Sequence, residues 1–150
     1  MKSNSAVAIL AASVGIALFS GCASTPKQTT AFTKEQILQQ EDVKKKTPVI
    51  YAKPLEEVRQ AGLRSLTFVG CELQKQEPLY LAGKRPNKFG LFVGSGGETV
   101  KIFLYPKDTA ETHVWVDTDL SFVGIAGQQD WNDKVLAEMK NLLETPAKTQ

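Results

Sequence analysis

Few side chains in this sequence are equipped for nucleophilic or proton-transfer chemistry. Two cysteines, Cys22 and Cys71, and a single histidine, His113, supply the soft nucleophiles and the near-neutral base. Cys22 stands in LFSGCAS, Leu18 to Ser24, where an apolar run stops. Its thiolate would be a strong side-chain nucleophile. His113 would need a positioned nucleophile and a carboxylate to act as a base, or further ligands to hold zinc. By residue type its helpers would be Cys71 and Asp117, which nothing in their spacing brings together, so His113 reads as a structural or surface residue. Asp117 and Asp119 alternate, but no Gly or Glu follows them at calcium-loop spacing, and they read as a solvated strand end. The cluster GLFVGSGG, Gly90 to Gly97, lacks the Gly-Lys-Ser/Thr ending of a phosphate loop and leads into a strand. Ser95, Gly96 and Gly97 are more simply a hairpin turn. No catalytic residue, metal site or cofactor is expected, and the chain reads as non-enzymatic.

The setting of Cys22 is more informative. MKSNSAVAILAASVGIALFSG has one basic residue, a polar start and an apolar stretch from Ala6 to Phe19, the regions of an export signal. A permanent membrane span needs about 20 apolar residues, and this stretch is shorter. Ser20 and Gly21 then precede Cys22, and the segment resembles the lipobox of Gram-negative bacterial lipoproteins, with Phe19 where that pattern usually has Leu. The resemblance implies a signal peptide over 1–21, cleavage before Cys22, a diacylglycerol on its sulfur and an acyl chain such as palmitate on its new amino group. Ala23 after the cysteine implies the outer membrane, on its periplasmic side, rather than the inner one. The alternatives are an inner-membrane lipoprotein and a soluble periplasmic protein cut after Ala23, since Gly21 and Ala23 would serve an ordinary signal peptidase. If Cys22 carries lipid, Cys71 is left unpaired in an oxidising compartment, which favours burial.

The totals leave room for one modest core. Of 150 residues, 42 % are hydrophobic and 23 % charged, and the formal net charge is +2. Removing residues 1–21 takes away only Lys2 and leaves 17 basic residues against 16 acidic ones. Such a balance gives no support for nucleic-acid binding. Residues 22–47 are rich in Thr, Gln and Lys, with only Phe32, Ile37, Leu38 and Val43 as larger apolar side chains. That is too little apolar area to offset chain ordering, so the lipidated cysteine is expected to lead into a flexible tether. Thr33 and Gln36 fit a capping box for a short helix within it. The triplet Lys44-Lys45-Lys46 reads as solvated, with contact to anionic headgroups as the alternative.

Residues 48–145 carry the periodicities of a folded domain, and 146–150 read as a disordered tail. A β-prone run, Val49 to Tyr51, precedes a helix opened by Pro54, with Glu56 and Glu57 in its first turn and Gly70 as its stop. Leu55, Val58, Gly62, Leu66 and Val69 share one stripe, and Gly62 suits close approach to a sheet. Strands are expected at Cys71–Gln76, Leu79–Gly83, Lys88–Val93, Thr99–Tyr105 and Glu111–Thr118. The last two form a hairpin through Pro106, Lys107 and Asp108. Val100, Ile102 and Leu104 face one way, opposite Lys101, Phe103 and Tyr105; Val114 and Val116 oppose His113, Trp115 and Asp117. A final helix from about Asp130 carries Trp131, Val135, Met139 and Leu142 on one side. The expected fold is α+β, an antiparallel sheet of four to five strands packed with two helices. This order resembles the small helix-grip-type domains of Gram-negative lipoproteins, including that of the BamC lipoprotein.

If both helices cover the aliphatic face, the rings of Phe103, Tyr105 and Trp115, with Tyr80 and Phe92, are left to another cover or to a contact patch. The apolar loop Ser121–Gly127 adds Phe122 to that patch. The expected function is a membrane-anchored, periplasm-facing lipoprotein that binds an envelope protein and serves envelope assembly or maintenance. The alternative functions are a carrier or sensor of a small apolar ligand and, third, an exported hydrolase; for the rings, the alternatives to a contact patch are helices divided between the two faces and a tether that folds over them.

Overall fold

The computed structural model describes residues 31–89, 94–120 and 129–145. Seven strands and four helices occur among them: α1 (Lys34–Gln39), α2 (Glu41–Lys44), β1 (Val49–Tyr51), α3 (Leu55–Phe68), β2 (Glu72–Gln76), β3 (Tyr80–Lys84), β4 (Lys88–Phe89), β5 (Gly94–Ser95), β6 (Thr99–Pro106), β7 (Thr112–Asp119) and α4 (Asn132–Glu144). Five strands make one antiparallel sheet in the order β1-β7-β6-β3-β2, and β4 pairs with β5 alone. The domain is therefore α+β, as its periodicities require. The segment 146–150 and the loop residue Phe122 lie outside the described residues, as does Cys22.

The β6–β7 hairpin is the axis of the sheet. Its register places Phe103 opposite Trp115, Lys101 opposite Asp117 and Tyr105 opposite His113. Asp108 closes the connection, its carboxylate accepting the Ala110 and Glu111 amides at 2.7 and 2.9 Å. Period-two alternation then sorts the side chains onto two unlike faces. On one, Leu81, Val100, Ile102, Leu104, Val114 and Val116 are buried beneath α3 and α4. Val58 and Leu66 of α3, with Val135 and Met139 of α4, complete this layer, and each such burial is worth about 1.5–3 kcal/mol.

Gly62 does what its place in the stripe suggests. A Cβ there would lie 3.0 Å from Leu81 Cδ1 and 3.4 Å from Ile102 Cδ1, so the missing side chain is what lets α3 settle on β3 and β6. Helix α4 is pinned at its start by β7: Thr118 Oγ1 accepts the Trp131 amide at 3.1 Å and donates to Asn132 Oδ1 at 3.0 Å. The glycine pair expected to turn a hairpin sits elsewhere. Gly96 and Gly97, at φ +96° and +85°, follow β5 and lead into β6, and the Gly97 amide donates to the Arg85 carbonyl. A Cβ on Gly96 would collide with the Pro86 carbonyl.

That crossing places a carboxylate in the interior. Glu98 is fully buried, its Oε1 accepting the Gln129 amide at 3.3 Å and its Oε2 lying 3.8 Å from Arg85 Nη1. Arg85 in turn donates from Nε to the Val69 carbonyl at 3.1 Å and stacks 3.9 Å from the centroid of the Trp131 ring. One side chain thus ties β3 to the end of α3 and the start of α4 while balancing a buried charge. Removing one partner of such a pair strands the other charge, so Arg85→Met should lower unfolding stability by about 3–5 kcal/mol in urea titration. Glu98→Gln, which keeps the shape and removes the charge, should cost less.

Candidate functional site

The second face of the sheet carries Tyr80 and Ala82 from β3, Lys101, Phe103 and Tyr105 from β6, and His113, Trp115 and Asp117 from β7. Phe103 and Trp115, two of the proposed contact residues, are buried, and Tyr105 is half-buried. What covers them is the polar stretch ahead of the domain. The tether expected over 22–47 is folded in its latter part: α1 and α2 lie across the rings and bury Ile37 and Val43 against Tyr80, Ala82, Phe103 and Trp115. Phe32 packs beside them, its ring 5.0 Å from Tyr80, which is itself 5.1 Å from Phe103. The physical reason for the difference is tertiary. Three apolar side chains are too few to make a core, but they are enough to close one already built on the sheet.

The segment is also held by polar groups. Thr33 and Gln36 form the capping box anticipated for α1, with Thr33 N donating to Gln36 Oε1 at 2.9 Å and Gln36 N donating to Thr33 Oγ1 at 3.3 Å. The Phe32 amide donates to Glu77 Oε2, and the Trp115 indole donates to the Lys46 carbonyl at 3.0 Å. Lys46 Nζ reaches both the Val116 carbonyl and Asp117. Lys46 is therefore committed to the sheet, while Lys44 and Lys45 pair with Glu41 near the surface.

Lys101 is the electrostatic centre of this face. Its Nζ lies 2.7 Å from Asp119, 3.0 Å from Asp42 of α2 and 3.9 Å from Asp117. Burial by itself would depress its pKa, but hydrogen bonds to Asp119 and Asp42 prevail and push it up to about 12. Since the folded value exceeds the ordinary one, this contribution to stability is complete below about pH 10.5 and is lost as pH rises through about 12.

His113 lies on the same face, its Nε2 2.8 Å from Glu111 Oε1 and its ring between Tyr105 and Trp115. Hydrogen bonds from His113 and Lys107 hold Glu111 below the usual carboxylate range. Cys71 packs among the aliphatic residues beneath α3, on the opposite side of the sheet, and Asp117 is bound to Lys46. The two helpers considered for His113 are thus not brought to it. Cys71 is a free, buried thiol, pushed up to about 11 by burial. Among the described residues no group of three His, Cys, Asp or Glu is arranged to hold a metal.

What the sequence pattern did not reveal is the surface left open along the β1 edge. Ile50 is 57 % exposed on the aromatic face, and Val49 and Tyr51 border a groove of about 460 Å3 with Leu136, Lys140 and Glu144 of α4. A larger groove, about 840 Å3, separates the start of α3 from the end of α4 and is rimmed by Lys53, Glu56, Glu57 and Arg64 over Leu142 and Leu143. The exposed apolar side chains of a three-residue edge strand were the only signal for the first. No helix among the described residues is long and apolar enough to cross a membrane. The chain matches no family model and no curated protein sequence.

Two measurements probe this arrangement. Phe103→Ala should destabilise the fold by about 3–5 kcal/mol in urea unfolding, because the ring is enclosed between sheet and helices; an open contact residue would cost far less. Alkylation of Cys71 at pH 8 should be about 100-fold slower in the native protein than in the unfolded chain, since the folded thiol sits near 11 rather than 9.

Proposed function

We propose that this protein is a lipid-anchored, non-enzymatic binding module of the bacterial cell envelope, attached through Cys22 to the outer membrane and facing the periplasm. The observation that carries the reading is the seating of α1 and α2 on the aromatic sheet face. Phe32, Ile37 and Val43 fit against Tyr80, Phe103 and Trp115, as a short amphipathic helical segment fits a groove. A face shaped to hold such a segment is a recognition surface by chemistry, with aromatic walls and a fixed cation at Lys101. The export-type apolar run and the small residues before Cys22 support attachment at the membrane, where several acyl chains make stable anchoring at about 0.8 kcal/mol per buried methylene.

A second reading, a carrier of a small apolar ligand, is favoured by the groove between α3 and α4. Its charged rim of Lys53, Glu56, Glu57 and Arg64 suits an apolar ligand less well.

The anchoring half of the proposal is tested with Cys22→Ala. The parent chain should take up labelled fatty acid and fractionate with membranes, whereas the variant should be unlabelled and released from them. A variant processed to the same mature form and held as firmly as the parent would remove the anchor from the reading. Crosslinking in native membranes, with the captured neighbours identified, tests the binding half.

A further inference from the structure

We propose that residues 32–46 form a releasable strap, which opens while the sheet and its helices stay folded and uncovers Tyr80, Phe103 and Trp115 for an amphipathic segment of a partner protein. This deepens the binding reading above. The attendant gain in reach rests on anchoring at Cys22; the opening itself does not.

Three features make the strap separable. Helices of six and four residues do not persist alone in water, so α1 and α2 exist only while docked. No strand ladder joins them to the sheet, which keeps all its own pairings and its aliphatic cover when they leave. Pro48, with no amide hydrogen to extend β1, follows Thr47 at the point where the chain departs from the sheet. A groove of about 310 Å3 lies at this hinge, between Lys46, Thr47, Trp115 and Leu136.

The occupant is defined by what the strap itself supplies. It brings an aromatic ring at Phe32, aliphatic side chains at Ile37 and Val43, a carboxylate at Asp42 for Lys101, and an ammonium at Lys46 for Asp117. Once vacated, the face presents Lys101 flanked by Asp117 and Asp119 above apolar walls, and it selects the same pattern from a partner: a carboxylate and, four residues on, an amine. Opening also changes geometry. Closed, residues 23–31 span the gap from Cys22 to the docked segment, at most about 30 Å; open, residues 23–47 span it, at most about 90 Å.

The test is hydrogen exchange on the full chain, comparing amides of residues 37–46 with those of β6 and β7. Strap amides should exchange at least about 10-fold faster than the strand amides and with a shallower dependence on denaturant, and Asp42→Asn should speed the strap several-fold while leaving β6 and β7 unchanged. Exchange of both regions as one unit, with one denaturant slope and one response to Asp42→Asn, would overturn the opening. In parallel, a labelled peptide of residues 31–47 is titrated against the parent and Asp42→Asn chains, with a scrambled peptide as control. Tighter binding to Asp42→Asn than to the parent is expected, because the binding-competent fraction is larger. Binding no better than that of the scrambled peptide would overturn the docking face. Neither outcome depends on whether Cys22 carries lipid.

Discussion

The pleat of the β6–β7 hairpin is the constraint from which the rest follows. Alternation along two eight-residue strands puts Ile102, Leu104, Val114 and Val116 on one side and Lys101, Phe103, Tyr105, Trp115 and Asp117 on the other. Both faces carry too much apolar area to remain in water. The aliphatic face takes the two long helices, whose stripes of branched and small residues match it, and Gly62 allows the closest contact. The aromatic face, with bulky rings and an embedded lysine, takes a smaller cover that can meet both demands. Three apolar side chains fill the spaces among the rings, and Asp42 meets the charge.

The two covers differ in how firmly they are fixed. Helices α3 and α4 are integral to the topology, lying between strands or pinned to them through Thr118, Arg85 and the buried Glu98. The N-terminal segment joins no strand ladder and is held by a few hydrogen bonds, at Phe32, Lys46 and Trp115, and by ion pairs of Asp42 and Lys46 that salt and charge substitution weaken.

Much of the architecture was legible in residue patterns. The strand Val49–Tyr51, the α3 stripe with Gly62, the hairpin closed by Asp108, and the Thr33–Gln36 capping box all depend on local rules: period, cap chemistry and turn geometry, which act over a few residues. Local rules also sorted Phe103, Tyr105 and Trp115 onto one face. They misplaced the glycine pair, because Gly96 and Gly97 serve the approach of β6 to the Pro86 backbone rather than the tip of a hairpin, and that approach is a long-range fact. The buried Glu98 gave no signal either, since its partner Arg85 and the Gln129 amide are distant in sequence.

The sequence by itself determined the α+β class, the two unlike sheet faces and the apolar run ending at Cys22, because each is written in composition or in spacing along one segment. Only the tertiary structure decided what covers the aromatic face. Phe32, Ile37 and Val43 are sparse within a polar stretch, and by composition that stretch belongs to a tether. Its folding depends on apolar area supplied by Tyr80, Phe103 and Trp115, more than thirty residues away, and on Lys101 standing where Asp42 can reach it. Burial energy of that kind arises from two surfaces meeting, and neither segment carries it alone.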